Sequence, residues 1–280
     1  MTLRAELRKF LRSRPRLLGI VRTLLSLPAA TVLRMKIVRK SILKFVDRRV
    51  DEQRLMINIG GGYYFRRHWR ILDSRSEWYG FMTGAIDYEF DLLGGAPFPF
   101  ASDSVYLFYS SHTLEHIPQE YCQHIFDEIF RCLRPGGAVR LTVPDFDLAC
   151  EAFGRNSLDF FGQPRGARIE ERFLNFFATY VKERVRPEEV RERFRIMRRE
   201  DLGDYYTRQV PRESQRKVAG NHINWWNYEK VHPMLDRAGF RDIYRSTPQG
   251  SRFGEMRGEG REGGFDSTYP EMSLFVEAVK

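Results

Sequence analysis

Short apolar runs alternate with amphipathic segments from residue 55 onward, and this alternation predicts an α/β fold. The runs have the length of buried strands, and most end at glycine, proline, serine or an acidic residue. The predicted strands are 55–59, 69–73, 86–91, 104–109, 138–143, 242–245 and 272–279. Because strands that alternate with helices are usually parallel, we expect a mostly parallel sheet.

Amphipathic spacing predicts two helices that pack on this sheet. The first covers 121–133 and stops at Pro135-Gly136-Gly137. The second covers 225–240 and ends at Gly239, a residue that suits a helix C-terminus. Between 247 and 270 six glycines predict a mobile loop.

Residues 150–221 predict a helical insertion that is rich in arginine and aromatic side chains. Between positions 165 and 217 it holds 15 basic and 10 acidic residues. This composition fits a cap held by salt bridges, and it also fits a lid over an acidic or polyhydroxylated substrate.

Residues 1–53 predict a basic amphipathic helical arm. Residues 1–50 have a net charge of +12, whereas the remaining residues have a net charge of −3. Such an arm fits an anionic membrane surface, and it also fits a helix that packs on the body with a solvated basic face. Nucleic acid is disfavoured, because only Phe10 and Phe45 offer aromatic rings in the first 50 residues.

The arm predicts neither a membrane span nor a secretory signal. Its most apolar part, residues 17–33, is short and contains Arg22 and Pro28, and no small-residue cleavage site follows it. The three cysteines lack CxxC spacing, which disfavours a disulfide framework and fits a reducing compartment. We therefore expect a cytoplasmic protein, peripheral on the inner face of the membrane if the arm binds lipid.

Candidate ligand-binding residues follow the first four predicted strands. Gly60-Gly61-Gly62 follows the first strand, Asp73 ends the second, Asp91 ends the third, and Ser110-Ser111-His112 follows the fourth. Ligands of open α/β sheets bind at the carboxyl ends of the strands. We therefore expect these residues to surround one ligand.

The glycine cluster disfavours a dinucleotide. Tyr64 stands where the third glycine of the dinucleotide fingerprint would be, and only ten residues separate Gly62 from Asp73. No GK[ST] sequence is present, which excludes a P-loop. A ligand without phosphate, such as S-adenosylmethionine, fits better: its ribose would meet Asp73, and its adenine would meet Asp91 and Leu92.

At these motifs the chain resembles the class I S-adenosylmethionine-dependent methyltransferases, and most closely the methyltransferase type 11 group, which includes members from polysaccharide gene clusters. The resemblance covers about 55–150 and 222–280. The matching segments are Ile57-Asn58-Ile59-Gly60-Gly61-Gly62, Phe90-Asp91-Leu92, Pro97-Phe98-Pro99-Phe100, His112-Thr113-Leu114-Glu115-His116-Ile117, Leu133-Arg134-Pro135-Gly136-Gly137, Ala238-Gly239-Phe240 and 273–280.

The resemblance implies a Rossmann-like fold with an antiparallel last strand, and it says little about 150–220. We therefore expect a methyltransferase domain over 54–280, into which 150–221 is inserted as a helical lid. The resemblance also implies that Gly60 and Gly62 border the methionyl group of the cofactor, and that Asn58 stands where an acid is often found. The expected cofactor-binding residues are Asn58, Gly60, Gly61, Gly62, Asp73, Asp91, Leu92, Ser110 and Ser111.

Two histidines are candidate catalytic bases for a hydroxyl acceptor. His112 lies at a strand end beside the expected cofactor, and His222 follows the insertion. For His112, a hydrogen bond that only shapes its loop is an equally good interpretation. The HxxEH spacing from His112 to His116 also occurs in zinc peptidases, but the sequence shows no third ligand, so we expect no metal site.

The sequence therefore predicts a methyltransferase that acts on a hydroxyl group of a small molecule, a glycan or a lipid-linked intermediate. The alternative is a non-catalytic Rossmann-like binding or scaffold protein that has lost its cofactor, which Tyr64 and the short link to Asp73 would explain. The oligomeric state is not predicted.

Overall fold

The computed structural model describes most of the chain after residue 53. The described residues are 54–62, 66, 68–75, 86–162, 168–257, 265–266 and 268–280. The predicted arm 1–53, Tyr64 and the glycine-rich part of the predicted loop at 258–264 lie outside the described residues.

A seven-stranded sheet forms the centre of the described chain, in the order β3-β2-β1-β4-β5-β7-β6. The strands are β1 Leu55–Ile59, β2 Trp69–Asp73, β3 Tyr88–Glu89, β4 Val105–Ser111, β5 Leu133–Pro144, β6 Asp242–Arg245 and β7 Ser273–Val279. The first five strands are parallel, and β7 runs antiparallel to both β5 and β6. The predicted Rossmann-like α/β class, with its antiparallel last strand, is confirmed.

The central strands are buried on both faces, which explains their nearly continuous apolar sequences. In β1 the four residues from Met56 to Ile59 are buried, and β4 is buried from Leu107 to Ser110. The carboxyl ends of β1 and β4 lie side by side, because Ile59 pairs with Ser110.

Several predicted boundaries were wrong. The third strand keeps only Tyr88–Glu89 of the predicted 86–91. The fourth strand continues to Ser111, so Ser110 and Ser111 lie inside it. The fifth strand begins at Leu133 and includes Gly137. A Cβ at Gly137 would come 2.6 Å from the carbonyl oxygen of Tyr106, so glycine fits this position best. Glycine at this place in the strand allows the backbone of the neighbouring strand to approach closely, and does not mark a turn.

Two helices cover one face of the sheet through an apolar core that they share with β1 and β4. The helix α1 spans Gln119–Cys132. The C-terminal helix, named α7 by its place in the chain, spans Tyr228–Ala238 and ends at Gly239 with a φ of 118°. The prediction began α7 too early, because the side chain of Asn227 accepts a hydrogen bond from the backbone N–H of Lys230 and caps the helix.

Between these helices the chain forms a helical segment with its own apolar core. Its helices are α2 Phe146–Gly154, α3 Ile169–Asn175, α4 Pro187–Ile196, α5 Arg199–Thr207 and α6 Arg212–Lys217. Phe146, Phe173 and Tyr206 belong to its core, and Trp225 joins them from the far end of the segment. Salt bridges such as Arg208–Asp204 follow its surface, as the cap interpretation expects.

A buried ion cluster fixes the loop after β6 to the sheet. Arg140 on β5 donates to Asp266 at 2.6 and 3.0 Å and to Glu277 of β7 at 2.6 Å, and all three residues are buried. The three cysteines are free and buried. In the part of the chain that the structure describes, no helix has the length and apolar character needed to cross a membrane.

Candidate functional site

The glycine turn after β1 is shaped by its neighbours. Gly60 and Gly62 have φ angles of 64° and 52°, which favour glycine. A Cβ on Gly60 would lie 2.2 Å from Oγ1 of Thr113, and a Cβ on Gly61 would lie 2.7 Å from Nδ2 of Asn58. The packing of Thr113 therefore favours glycine at position 60, whereas a Cβ at position 61 would require the Asn58 side chain to shift.

Asp73 closes this turn from the end of β2. The N–H of Gly62 donates to Oδ2 of Asp73 at 2.8 Å, and the N–H of Ser74 donates to Oδ1 at 2.7 Å. Burial raises the pKa of the Asp73 carboxyl. Each carboxylate oxygen keeps a second lone pair, so Asp73 can still accept hydrogen bonds from a ligand.

Asp91 lies farther out, after β3. Its Oδ1 accepts a hydrogen bond from the N–H of Leu93 at 2.9 Å, and its half-exposed carboxylate lies 3.5 Å from Arg216 of α6. Leu92 is buried in the main core. The helical segment thus reaches the residue that the sequence assigns to adenine.

Ser110 and Ser111 lie at the last two positions of β4. Ser110 is buried between β1 and β5, and its Oγ has no hydrogen-bond partner among the described residues. Ser111 pairs with Thr142 of β5 and is only partly buried.

His112 begins the turn after β4 in an unusual conformation, with a φ of 49°. Its backbone N–H donates to the carbonyl of Thr142 at 2.8 Å. Its Nε2 lies 2.9 Å from Oγ of Ser273, and its Nδ1 lies 3.2 Å from Oε1 of Glu115. Both ring nitrogens of His112 therefore face protein groups, and its assignment as a catalytic base stays a prediction.

Glu115 is a buried carboxylate at the centre of the site. It lies in the one-turn 3-10 helix Leu114–His116, and its side chain is 1% exposed. Neither carboxylate oxygen has a hydrogen bond within the described residues. Burial acts to raise the pKa of this carboxyl, but the imidazoles of His112, His116 and His222 outweigh burial and lower it to about 2. Glu115 is therefore charged at neutral pH.

His116 and His222 complete a cluster with Glu115. Nδ1 of His116 lies 2.9 Å from the carbonyl oxygen of Asn221, and Nδ1 of His222 lies 2.7 Å from that of Phe176. The two ring centroids are 4.8 Å apart. Burial and His116 lower the pKa of His222 to about 4, so His222 is neutral at pH 7.

The helical segment holds His222 in place. The N–H of His222 donates to Oγ1 of Thr179 at 3.0 Å, and the N–H of Thr179 donates to the carbonyl of His222 at 2.9 Å. The N–H groups of Ile223 and Asn224 donate to the carbonyl of Glu115. These bonds join the chain that leaves the helical segment to the turn after β4.

The structure brings the two predicted catalytic histidines into one cluster. Sequence reasoning missed the roles of Glu115 and His116, although their spacing in HxxEH was the available signal. The peptidase interpretation uses both histidines of that motif as metal ligands. The structure instead groups Glu115 and His116 with His222, with their ligand atoms within 4.8 Å of one another.

Residues 87–141 match the family model described as a methyltransferase domain, Methyltransf_11. The match includes β4 and the turn that carries His112 and Glu115. The matched segment lies within the range 54–280 that the sequence analysis expects to be a methyltransferase domain. A comparison with curated proteins finds no match.

Several solved structures are similar to this chain. A methyltransferase dependent on S-adenosylmethionine from Archaeoglobus fulgidus is 10% identical, with a TM-score of 0.42 over 88% of this chain and 94% of that one. One from Mesorhizobium loti is 17% identical, with a TM-score of 0.41 over 84% and 95%. The apo methyltransferase SibL is 14% identical, with a TM-score of 0.38 over 84% of this chain and 51% of SibL, so this chain spans about half of it. Because identities and TM-scores are low, the fold assignment rests on the strand order of this chain.

Proposed function

We propose that this protein is a methyltransferase that uses S-adenosylmethionine and acts on a hydroxyl acceptor at the Glu115 cluster. The position of Thr113 supports this proposal best. Thr113 packs against Gly60 of the glycine turn and lies in the same turn as His112 and Glu115. The methyltransferase match spans this turn. A buried charged cluster therefore lies beside the loop expected to hold the cofactor.

The residues at the strand ends fit the cofactor. Asp73 keeps lone pairs for the ribose hydroxyls, and Asp91 with Leu92 offers an acid and an apolar side chain for adenine. Gly60 and Gly62 would border the methionyl group. Asn58, Gly61, Ser110 and Ser111 support the turn and the neighbouring strand end.

When bound, the cofactor supplies an electrophilic methyl group, which passes to the acceptor oxygen while the electron pair of the broken C–S bond stays on sulfur. The protein must align the acceptor and remove its proton. Of the two predicted bases, His112 has both ring nitrogens directed at protein groups. His222 contacts the carbonyl of Phe176 through Nδ1, and its ring belongs to the group with Glu115 and His116. In this proposal His112 positions Glu115, and the hydroxyl proton of the acceptor passes to water beside the Glu115 cluster.

The acceptor class rests on the helical segment. This segment contributes His222 and is rich in arginine and aromatic residues, which suit a glycan, a polar small molecule or a lipid-linked intermediate. A link to polysaccharide biosynthesis rests on the family resemblance alone.

The proposal is tested by methyl transfer from labelled S-adenosylmethionine to small-molecule, glycan and lipid fractions of the source cells. We expect an alkali-stable methyl ether in one fraction, and about 100-fold slower transfer by Glu115→Gln. His124→Gln is the matched control, because its ring contacts the carbonyl of Ala96 outside the cluster. Label on nitrogen, on carbon or in no fraction would contradict a hydroxyl acceptor.

A further inference from the structure

Three hydrogen-bond acceptor atoms face one another in the Glu115 cluster. A backbone carbonyl only accepts hydrogen bonds, so Nδ1 of His116 must donate to Asn221 and Nδ1 of His222 must donate to Phe176. In a neutral imidazole the second ring nitrogen then carries a lone pair. When both rings are neutral, each Nε2 is an acceptor, and Nε2 of His116 lies 3.9 Å from Oε1 of Glu115.

The buried carboxylate of Glu115 meets His112 on one side and faces the other two histidines of the cluster. Its Oε1 lies 3.2 Å from Nδ1 of His112 and 3.9 Å from Nε2 of His116, yet neither oxygen has a hydrogen bond within the described residues. Buried charges are normally paired, hydrogen-bonded or bound to metal. Two imidazole lone pairs and one carboxylate form a set of ligands that suits a cation.

We propose that Glu115, His116 and His222 bind one divalent transition-metal ion, with Zn²⁺ favoured by the ligand types. Two histidines and one carboxylate are a ligand set of catalytic zinc sites, which leave one position open. The ligand atoms lie within 4.8 Å of one another. Bonds of about 2.1 Å allow at most about 4.2 Å between two ligand atoms, so the side chains move inward on binding.

The surrounding hydrogen bonds support this assignment. Histidine ligands of metals commonly donate their other ring N–H to a backbone carbonyl, which fixes the tautomer and the ring orientation. Both histidines make this bond here. His112 contacts Oε1 from the other side and orients the carboxylate. Each of the three ligands is thus oriented before an ion arrives.

The chemical role of the ion rests on the proposed function, whereas its binding does not. At the open position the ion would take the acceptor hydroxyl and lower its pKa, and the released proton would pass to water. The oxygen then carries the electron pair that forms the new bond to the methyl carbon. In this arrangement His222 is a ligand, and no side chain has to act as a strong base.

Calorimetric titration of the chelator-treated full-length protein with ZnCl2 tests the site. We expect one ion per chain, and binding at least about 100-fold weaker for His116→Gln and for His222→Gln. His124→Gln should bind like the wild type. Absence of stoichiometric binding, or unchanged binding by His222→Gln, would overturn the proposal.

A spectroscopic measurement on the wild type avoids dependence on variants that fail to fold. With Co²⁺ bound through two Nε2 atoms, both Nδ1–H protons remain, so proton NMR should show two strongly shifted signals that disappear in D2O. Fewer than two such signals would contradict ligation by both histidines. Titration of the same sample with S-adenosylhomocysteine separates the proposals, because metal binding without cofactor binding would sink the proposed function alone.

Discussion

At the scale of single residues, Gly60 is required by the side chain across from it. Oγ1, Cγ2 and Cβ of Thr113 occupy the space that a Cβ on Gly60 would fill, at 2.2, 2.4 and 2.8 Å. Thr113 also joins the two halves of the site, because its neighbours His112 and Leu114 belong to the turn that carries Glu115. The glycine turn and the Glu115 cluster are therefore coupled by packing.

Substitution of Gly60 tests this coupling. Gly60→Ala should lower the free energy of unfolding by more than Gly95→Ala, since both residues have positive φ angles but Gly95 has nothing within 4 Å of its added Cβ. The strain shared by both is about 1–3 kcal/mol. Thr113→Ala should recover part of the excess in a double-mutant cycle measured by urea unfolding. Equal losses for both glycines would contradict the packing argument.

Some single-residue roles could be predicted from the sequence, and others could not. The place of Asp73 at the end of β2 followed from the apolar run before it. The role of Glu115 could not be predicted, because its partner His222 is 107 positions away and reaches it only through the helical segment. Spacing along the chain identifies local ligands but not a ligand that tertiary packing supplies.

The cysteine side chains allow a prediction about reactivity and pH. Burial raises the pKa of the Cys122 thiol to about 12, that of Cys132 to about 11, and that of Cys150 as well. Ellman's reagent at pH 8 should therefore modify none of them in the native protein and all three in denaturant. One thiol reacting in the native protein would contradict their burial.

The raised pKa values of the thiols also predict how the free energy of unfolding changes with pH. Unfolded thiols ionise near pH 9, whereas the folded thiols keep their protons to higher pH, so the folded state binds more protons above pH 9. This contribution to stability is complete below pH 9 and is lost as the pH rises through 11. Urea unfolding at pH 8 and pH 10 should show the decrease, and Cys132→Ala should reduce it. If the free energy of unfolding of Cys132→Ala fell between pH 8 and pH 10 as much as that of the wild type, this assignment would be contradicted.

At the scale of secondary structure, the sheet is held together by polar as well as apolar contacts. The apolar runs predicted the existence of all seven strands, because strands buried on both faces have continuous apolar sequences. Their ends were harder to predict. Gly137 lies within β5 although its Pro-Gly-Gly sequence predicted a stop, and the carbonyl of Tyr106 approaches it so closely that a Cβ would clash, which is a tertiary contact.

Arg140 provides a test at this scale. Arg140→Met would leave the buried carboxylates of Asp266 and Glu277 without their cationic partner, which should lower the free energy of unfolding by about 3–5 kcal/mol. Arg208→Met breaks an exposed pair with Asp204 and should unfold almost like the wild type. Similar stabilities for the two variants in urea unfolding would contradict a structural role for the cluster.

At the scale of the whole molecule, the chain combines a seven-stranded sheet, a helical segment that contributes His222, and a basic arm. The helical segment could be predicted as an insertion, but its contribution to the site could not, since the contacts of Phe176 and Thr179 with His222 join distant parts of the chain. The arm lies outside the described residues, so its membrane role stays a prediction from charge.

The arm prediction is open to a direct test. The charge of +12 in residues 1–50 should bind the full chain to vesicles that contain phosphatidylserine, and added salt should release it. The combined variant Lys36→Glu, Arg39→Glu, Lys40→Glu and Lys44→Glu should stay in the supernatant on sedimentation. Vesicles of phosphatidylcholine alone are the control. Equal sedimentation of wild type and variant would favour an arm that packs on the body.

The proposed methyl-donor site lies at the carboxyl ends of β1 and β2, beside the Glu115 cluster. The most direct test is calorimetric titration with S-adenosylhomocysteine of the wild type, Asp73→Ala and the control Asp103→Ala, whose exposed carboxylate pairs with Lys280 instead. We predict one site per chain, about 10- to 100-fold weaker binding by Asp73→Ala, and unchanged binding by Asp103→Ala. Absence of binding by the wild type, or equal binding by all three proteins, would contradict the account and favour a scaffold that has lost its cofactor.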